Sequence, residues 1–170
     1  MDSKSENTPP LRIVGEGGFV IFRRNPSHDQ IEYLILQSSR RSSGRQSWGP
    51  PKGHMEKGEN EEETAWRELQ EETGLVTENV KVMENFKHVV KYTKDDKKCK
   101  PGTNGKKMLI VHMWLAELID PHYPIQISHE HHCSKWSPLT DAKELMSTRG
   151  GSDQYIEYFE KCEQKIRGSC

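Results

Sequence analysis

WGPPKGHMEKGENEEETAWRELQEETGL, residues 48–75, is the stretch whose reading decides the fold. Asn60 stands as an N-cap with Glu63 three residues on, the pattern of a capping box. Gly74 follows as a C′ glycine, so a helix is expected over Glu61 to Glu72. Seven glutamates (Glu59, Glu61, Glu62, Glu63, Glu68, Glu71 and Glu72) crowd the span from Glu59 to Glu72, and Arg67 alone opposes them there. Like charges four residues apart on a helix, as at Glu68 and Glu72, cost about 0.2–0.5 kcal/mol per pair. At about 100° per residue, Ala65, Trp66 and Leu69 set the apolar face, Glu72 falls close to the Ala65 direction and Glu68 about 60° from it. These carboxylates therefore border the buried face. Clustered, partly desolvated carboxylates need a proton, an arginine or a metal, and a hard, oxygen-liking divalent cation suits Glu68, Glu71 and Glu72 best, magnesium first. Glu61, Glu62 and Glu63 read instead as solvated charges that favour the helix N-terminus.

Immediately upstream, two prolines and three glycines between Trp48 and Glu59 fix a compact turn. Backbone carbonyls exposed by such a turn can ligate a metal, and Lys52 and His54 offer donors for phosphate oxygens. No glycine-rich phosphate cradle is present, so the turn and the helix have to be read together.

Further out, β-branched and aromatic runs predict strands at Arg12 to Arg24, Ile31 to Gln37, Asn79 to Thr93 and Met108 to Ile119, the first two joined by the turn NPSHDQ. A short helix is expected around Asp141 to Met146. A longer one is capped by Ser152 and buries Tyr155, Ile156, Phe159, Cys162 and Ile166 on one face. Strands and helices in this order give an α/β fold, a mixed sheet covered by helices on both faces, in one domain over residues 11–167 behind a loose polar tail at residues 1–10. Lys91 to Lys107, with seven lysines, reads as a long exposed hairpin loop, either merely solvated or a positive flap over a polyanion.

A net charge of −1 over 170 residues argues against a whole-chain nucleic-acid or membrane binder, and no apolar run approaches the length of a membrane span. No secretory signal is visible at the N-terminus. The four cysteines (Cys99, Cys133, Cys162 and Cys170) show no framework spacing, so a reducing compartment, cytosol or nucleus, is expected. His129, Glu130, His131, His132 and Cys133 form a metal-liking string, but no second ligand pair stands at zinc spacing to close a site. His88 and His112 read as strand residues and Trp66 and Trp114 as core; Trp136 fits either core or site.

Gly53, five residues, Glu59, seven residues, then Arg67-Glu68-Leu69-Gln70-Glu71-Glu72-Thr73-Gly74-Leu75 resembles the Nudix box at every defined position. The resemblance implies a Nudix-type α/β/α sandwich and a pyrophosphohydrolase. The flanks Trp48 to His54, Phe86-Lys87 with Tyr92, Trp114 to Glu117, and Ser128 to His131 with Trp136 are similar to asymmetric diadenosine tetraphosphate hydrolases of the animal type. By that resemblance Glu71 and Glu72 are metal ligands and Glu68 is a ligand or the base. The Lys52 carbonyl and Glu130 are further ligands for Mg2+ or Mn2+. Arg67 braces the ligand carboxylates with Glu59 as its partner. Lys52, His54, Lys87, His129 and His131 meet the substrate, and Tyr92 stacks on or borders an adenine. The implied reaction takes diadenosine tetraphosphate to ATP and AMP, on a monomer with a small nucleotide as its partner. The alternatives are an enzyme acting on RNA 5′ ends or other nucleoside polyphosphates, and a non-catalytic Nudix-fold binding module, which would be expected to lose box glutamates. The lysine-rich segment is longer than such enzymes usually show, and the C-terminal cysteine tail is unfamiliar.

Overall fold

The computed structural model describes residues 11–39, 47–96, 105–147 and 153–168. The tail at residues 1–10, the Ser152 cap and the Lys97, Lys98 and Lys100 side chains lie outside the described residues.

Seven strands form one mixed sheet. The element order is β1 (Arg12–Asn25), β2 (Gln30–Ser38), β3 (Trp48–Gly49), β4 (Lys52–His54), α1 (Glu61–Thr73), β5 (Val80–Asp95), β6 (Lys106–Leu118), β7 (His131–Ser137), α2 (Leu139–Ser147) and α3 (Asp153–Arg167). Strand β1 is central: it runs parallel to β6 and antiparallel to β2 and β4, while β5 closes one edge against β6 and β7 pairs with β2. β1 and β2 form the expected hairpin, with Asn25 opposite Gln30.

Alternation along these strands sorts side chains to two faces. Phe19, Ile21, Leu34, Leu36, Ala116 and Leu118 pack under Ala65 and Leu69 of α1. Val20, Phe22, Tyr33, Ile35, Val111, Met113 and Leu115 pack under Ala142 and Met146 of α2 and Tyr155, Tyr158, Phe159, Cys162 and Ile166 of α3. Helices on both faces make the expected α/β/α sandwich. Tyr158, fully buried, joins the inward face of α3, whereas Ile156 is only half-buried. Helix α1 carries the anticipated capping box, Asn60 accepting from the Glu63 amide at 2.8 Å and Glu63 from the Asn60 amide at 3.3 Å, and ends on Gly74 at φ 77°. Such a cap contributes about 1 kcal/mol.

Three features correct the reading of the sequence. Lys91 to Lys107 is not a loop throughout: β5 runs on to Asp95 and β6 starts at Lys106, with Lys94 opposite Lys107. The ladder extends through the charged residues because backbone pairing does not need apolar side chains. Its far end is fastened by Arg12, whose guanidinium donates to both oxygens of the buried Asp96 at 2.7 and 2.9 Å. The turn between Trp48 and Glu59 contains two very short strands, β3 and β4. His131 to Ser137, where no strand is expected from the sequence, is a strand, because β2 offers its outer edge from Tyr33 to Ser38.

Candidate active site

Helix α1 lies so close to β1 that a Cβ at Gly17 would meet the Glu61 carbonyl oxygen, and to β4 so that a Cβ at Gly53 would fall on the Glu68 carboxylate. Only glycine permits these two approaches. The first seats the start of α1 on the sheet, and the second brings its C-terminal half against the turn upstream of it.

Glu68 and Glu72 are buried there, 8% and 5% exposed. Glu72 Oε2 accepts the Lys52 amide at 3.0 Å, and the Glu72 Oε1 lies 4.0 Å from His131 Nε2. Burial pushes the Glu72 carboxyl up to about 9, with repulsion from Glu68 adding to it and the Lys52 amide opposing it. Burial also raises Glu68, against the pull of Arg67. Glu130, in the turn before β7, adds negative potential at both. Glu71 points outward, its side chain 57% exposed.

Arg67 ties the helix to the turn. Its guanidinium donates to Glu59 Oε1 at 2.5 Å, to Glu68 at 2.9 Å, to Glu71 at 3.2 Å and to the His54 carbonyl at 2.9 Å. The Glu59 carboxyl, held chiefly by Arg67, falls to about 2. Arg67 and Glu59 are thus brought together with the box glutamates.

On the opposite side of the turn a second polar group assembles, around a centre that no motif marks. Glu16, 3% exposed in the middle of β1, places Oε1 3.4 Å from Lys52 Nζ and Oε2 3.2 Å from His54 Nδ1. Burial alone would raise this carboxyl; Lys52 and His54 more than offset it, and it lies at about 2. Lys52 Nζ is also 3.5 Å from the Tyr92 hydroxyl and 5.5 Å from the centre of the Tyr155 ring, against which Tyr92 packs edge-on. Tyr155 was legible as a buried helix residue but not as part of this group. Glu16 carried no local signal, since its partners are 36 and 38 residues away and only the β1–β4 register sets it opposite His54.

Lys52, His54 and Tyr92 therefore converge, and His131 joins Glu72. Lys87 does not join them: it lies 5.1 Å over Trp114 in a shallow cleft with Glu62 and Val82, on the α1 side of the sheet. His129 is exposed, and its carbonyl accepts from Ser39 at 3.2 Å. Trp66 and Trp114 flank Phe19 beside the core, and Trp136 lies under the Arg23 guanidinium.

Two carboxylates raised chiefly by burial, with neighbouring carboxylates adding to it, suit a hard divalent cation, which would offset the desolvation that holds their pKa up. Glu68 and Glu72 fit that role by chemistry and placement. Among the described residues no three carboxylate, imidazole or thiol groups already converge on one point. No helix among them is long and apolar enough to cross a membrane.

A sandwich with a capped acidic helix docked on a glycine–lysine turn is the arrangement of one widespread class, and the NUDIX domain family model matches residues 16–159: the chain belongs to the Nudix family. Nudix hydrolases generally use divalent metal ions. Within that family the chain is similar to the rat bis(5′-nucleosyl)-tetraphosphatase (asymmetrical), 41% identical over 132 residues that cover 75% of this chain and 81% of that protein. It is 39% identical to the mouse protein of the same description over 149 residues, 82% of this chain and 92% of that one. Its structure resembles that of a C. elegans Ap4A hydrolase binary complex, with a TM-score of 0.75, 30% identity, and 91% of this chain and 98% of that one covered.

Proposed function

We propose that this chain is an asymmetrical dinucleoside tetraphosphatase, hydrolysing diadenosine tetraphosphate to ATP and AMP. The observation that carries the reading is the likeness to tetraphosphatases over four-fifths or more of their length, box and flanks together. The geometry supports it: a carboxylate pair on α1 and a Lys52–His54–Tyr92 group on the sheet meet at one turn.

Polyphosphate hydrolysis needs neutralised charge, an aligned water and a base. A divalent cation, Mg2+ or Mn2+, supplies charge neutralisation and a more acidic bound water. Glu68, Glu71 and Glu72 would hold it, with the Lys52 carbonyl and Glu130 as further donors, and Glu68 serves as ligand or as base. Arg67, itself held by Glu59, orients Glu68 and Glu71, an outer layer of the kind that tunes metal ligands. Lys52, His54 and His131 approach the phosphate chain, and the Tyr92 ring offers a nucleobase a flat face. His129 and Lys87 serve more outlying parts of the substrate. Cys133 and Cys162 are free thiols, which suits the reducing cytosol or nucleus in which we place the enzyme.

The test is turnover with magnesium of diadenosine tetraphosphate, a nucleoside diphosphate sugar and capped RNA in parallel, with products separated by chromatography. ATP and AMP in equal amounts from the first, at a kcat/KM well above the others, is the expected result. A major ADP peak, or preference for capped RNA, overturns it.

A further inference from the structure

A carboxylate in the central strand of a seven-stranded sheet is an expensive place for a charge, and nothing in the folding of β1 asks for one. Val20 and Phe22 show what the same face of the strand takes elsewhere. Buried charge is retained where it is paired and used. Glu16 spends its two oxygens on two different cationic side chains, Lys52 at 3.4 Å and His54 at 3.2 Å, both from β4.

We propose that Glu16 is a positioning residue that fixes the reach of the Lys52 ammonium and the ring tautomer of His54, and so presents both to the phosphate chain of the substrate. This rests on the tetraphosphatase reading above. A carboxylate accepts and does not donate, so the His54 nitrogen facing it, Nδ1, carries the ring proton. Nε2 is then the edge left towards solvent, on a side chain that is 56% exposed. Of the three ammonium donors of Lys52, Glu16 and the Tyr92 hydroxyl engage two, and the Tyr155 ring lies below. The lysine is thereby held inward, its side chain 22% exposed. An anion beneath two phosphate-facing groups also moderates their hold on the bound substrate, so its gain is in geometry at the transition state and not in ground-state affinity.

Glu16→Gln separates these effects. Glutamine has one acceptor oxygen; Lys52 takes it, which turns the amide NH2 to His54 Nδ1. That nitrogen must then accept, and the ring proton moves to Nε2. Two measurements follow. In the substrate-free protein, nitrogen NMR of the His54 ring, identified by its loss in His54→Gln, is expected to report the proton on Nδ1 in the wild type and on Nε2 in Glu16→Gln. With diadenosine tetraphosphate and magnesium, kcat is expected to fall tenfold or more while KM holds or falls. Glu163→Gln, which removes the charge from the carboxylate that accepts from the buried Tyr33 hydroxyl at 2.6 Å, outside the Glu16–Lys52–His54 group, controls for general loosening and is expected to keep kcat within twofold. A proton still on Nδ1 in Glu16→Gln, or a kcat within twofold of wild type, overturns the proposal; so does an equal loss in Glu163→Gln. If Glu16→Gln does not fold, Glu16→Asp takes its place: one methylene shorter, it gives up one of the two contacts, and wild-type kcat there also overturns the proposal. Failure of the wild type to cleave diadenosine tetraphosphate sinks the tetraphosphatase reading alone, since the ring tautomer is read without substrate.

Discussion

Glu72 and Glu16 are the same residue type, 5% and 3% exposed, on opposite sides of one short turn, yet the first carboxyl stands at about 9 and the second at about 2. Burial acts on both in the same direction and is the largest influence on each. The sign of the outcome is set by the neighbours. Glu72 has Glu68 and Glu130 beside it, and the amide and the charge of Lys52 do not make up for them and for burial, whereas Glu16 has Lys52 and His54 in direct contact. One side of the turn is an anionic site in want of a cation. The other is an anion already matched, so that what it offers a substrate is the donor groups it holds.

Chelation breaks the first side outright. Excess chelator is expected to abolish turnover, with recovery on adding magnesium, and full activity without divalent metal would remove the α1 cluster from the chemistry. Next in size, Glu72→Gln should lower kcat by roughly a thousandfold or more, as loss of a central group does in other hydrolases. Its melting temperature, measured without metal near neutral pH, should hold, because a carboxyl raised to about 9 is already protonated there and glutamine replaces one neutral group by another. A kcat loss of only a few fold would show that Glu72 is not at the centre.

The contrast sharpens in acid. The Glu16 carboxyl is depressed from an ordinary value near 4.5 to about 2, so its contribution is present above pH 4.5 and is lost as pH falls towards 2. On the scale of about 1.4 kcal/mol per pKa unit this is on the order of 3 kcal/mol. The stability gap between wild type and Glu16→Gln in urea melts should therefore be widest near neutrality, narrow below pH 4.5 and close towards pH 2; a gap independent of pH would contradict the pairing. Smallest of all, Glu62→Gln, on the exposed side of α1, should leave kcat/KM within twofold. A loss there matching that of Glu72→Gln would mean that the acidic helix acts by overall charge and not by the placement of particular carboxylates.

Much of this arrangement is legible in residues 48–75. The capping box and Gly74 bound α1, and helical spacing alone turns Glu68 and Glu72 towards the core. That spacing groups Glu71 with them, but Glu71 lies outward on Arg67, because the apolar stripe is too narrow to take a third carboxylate. The long strands announce themselves by β-branched runs. β7 does not, since HHCSKWS owes its extended form to the open edge of β2 and not to its own composition. The lysines of β5 and β6 hide a strand ladder for the converse reason: charge marks exposure, which the outward side chains of an edge ladder share with a loop. Glu16 is the least legible, because a single acidic residue in VGEGG becomes meaningful only when β4 is laid beside it in register.

Lys52 belongs to both sides of the turn at once, its main-chain amide on Glu72 and its ammonium on Glu16. The amide is the same whatever side chain stands at that position, while the ammonium is not. Exchanging the residue therefore retunes the recognition end while the hydrogen bond to the hydrolytic end stays in place. A lineage could drift from one polyphosphate to another through position 52 and its neighbours while the cleavage machinery stays constant, with proline as the one residue barred, since it alone has no amide hydrogen to give.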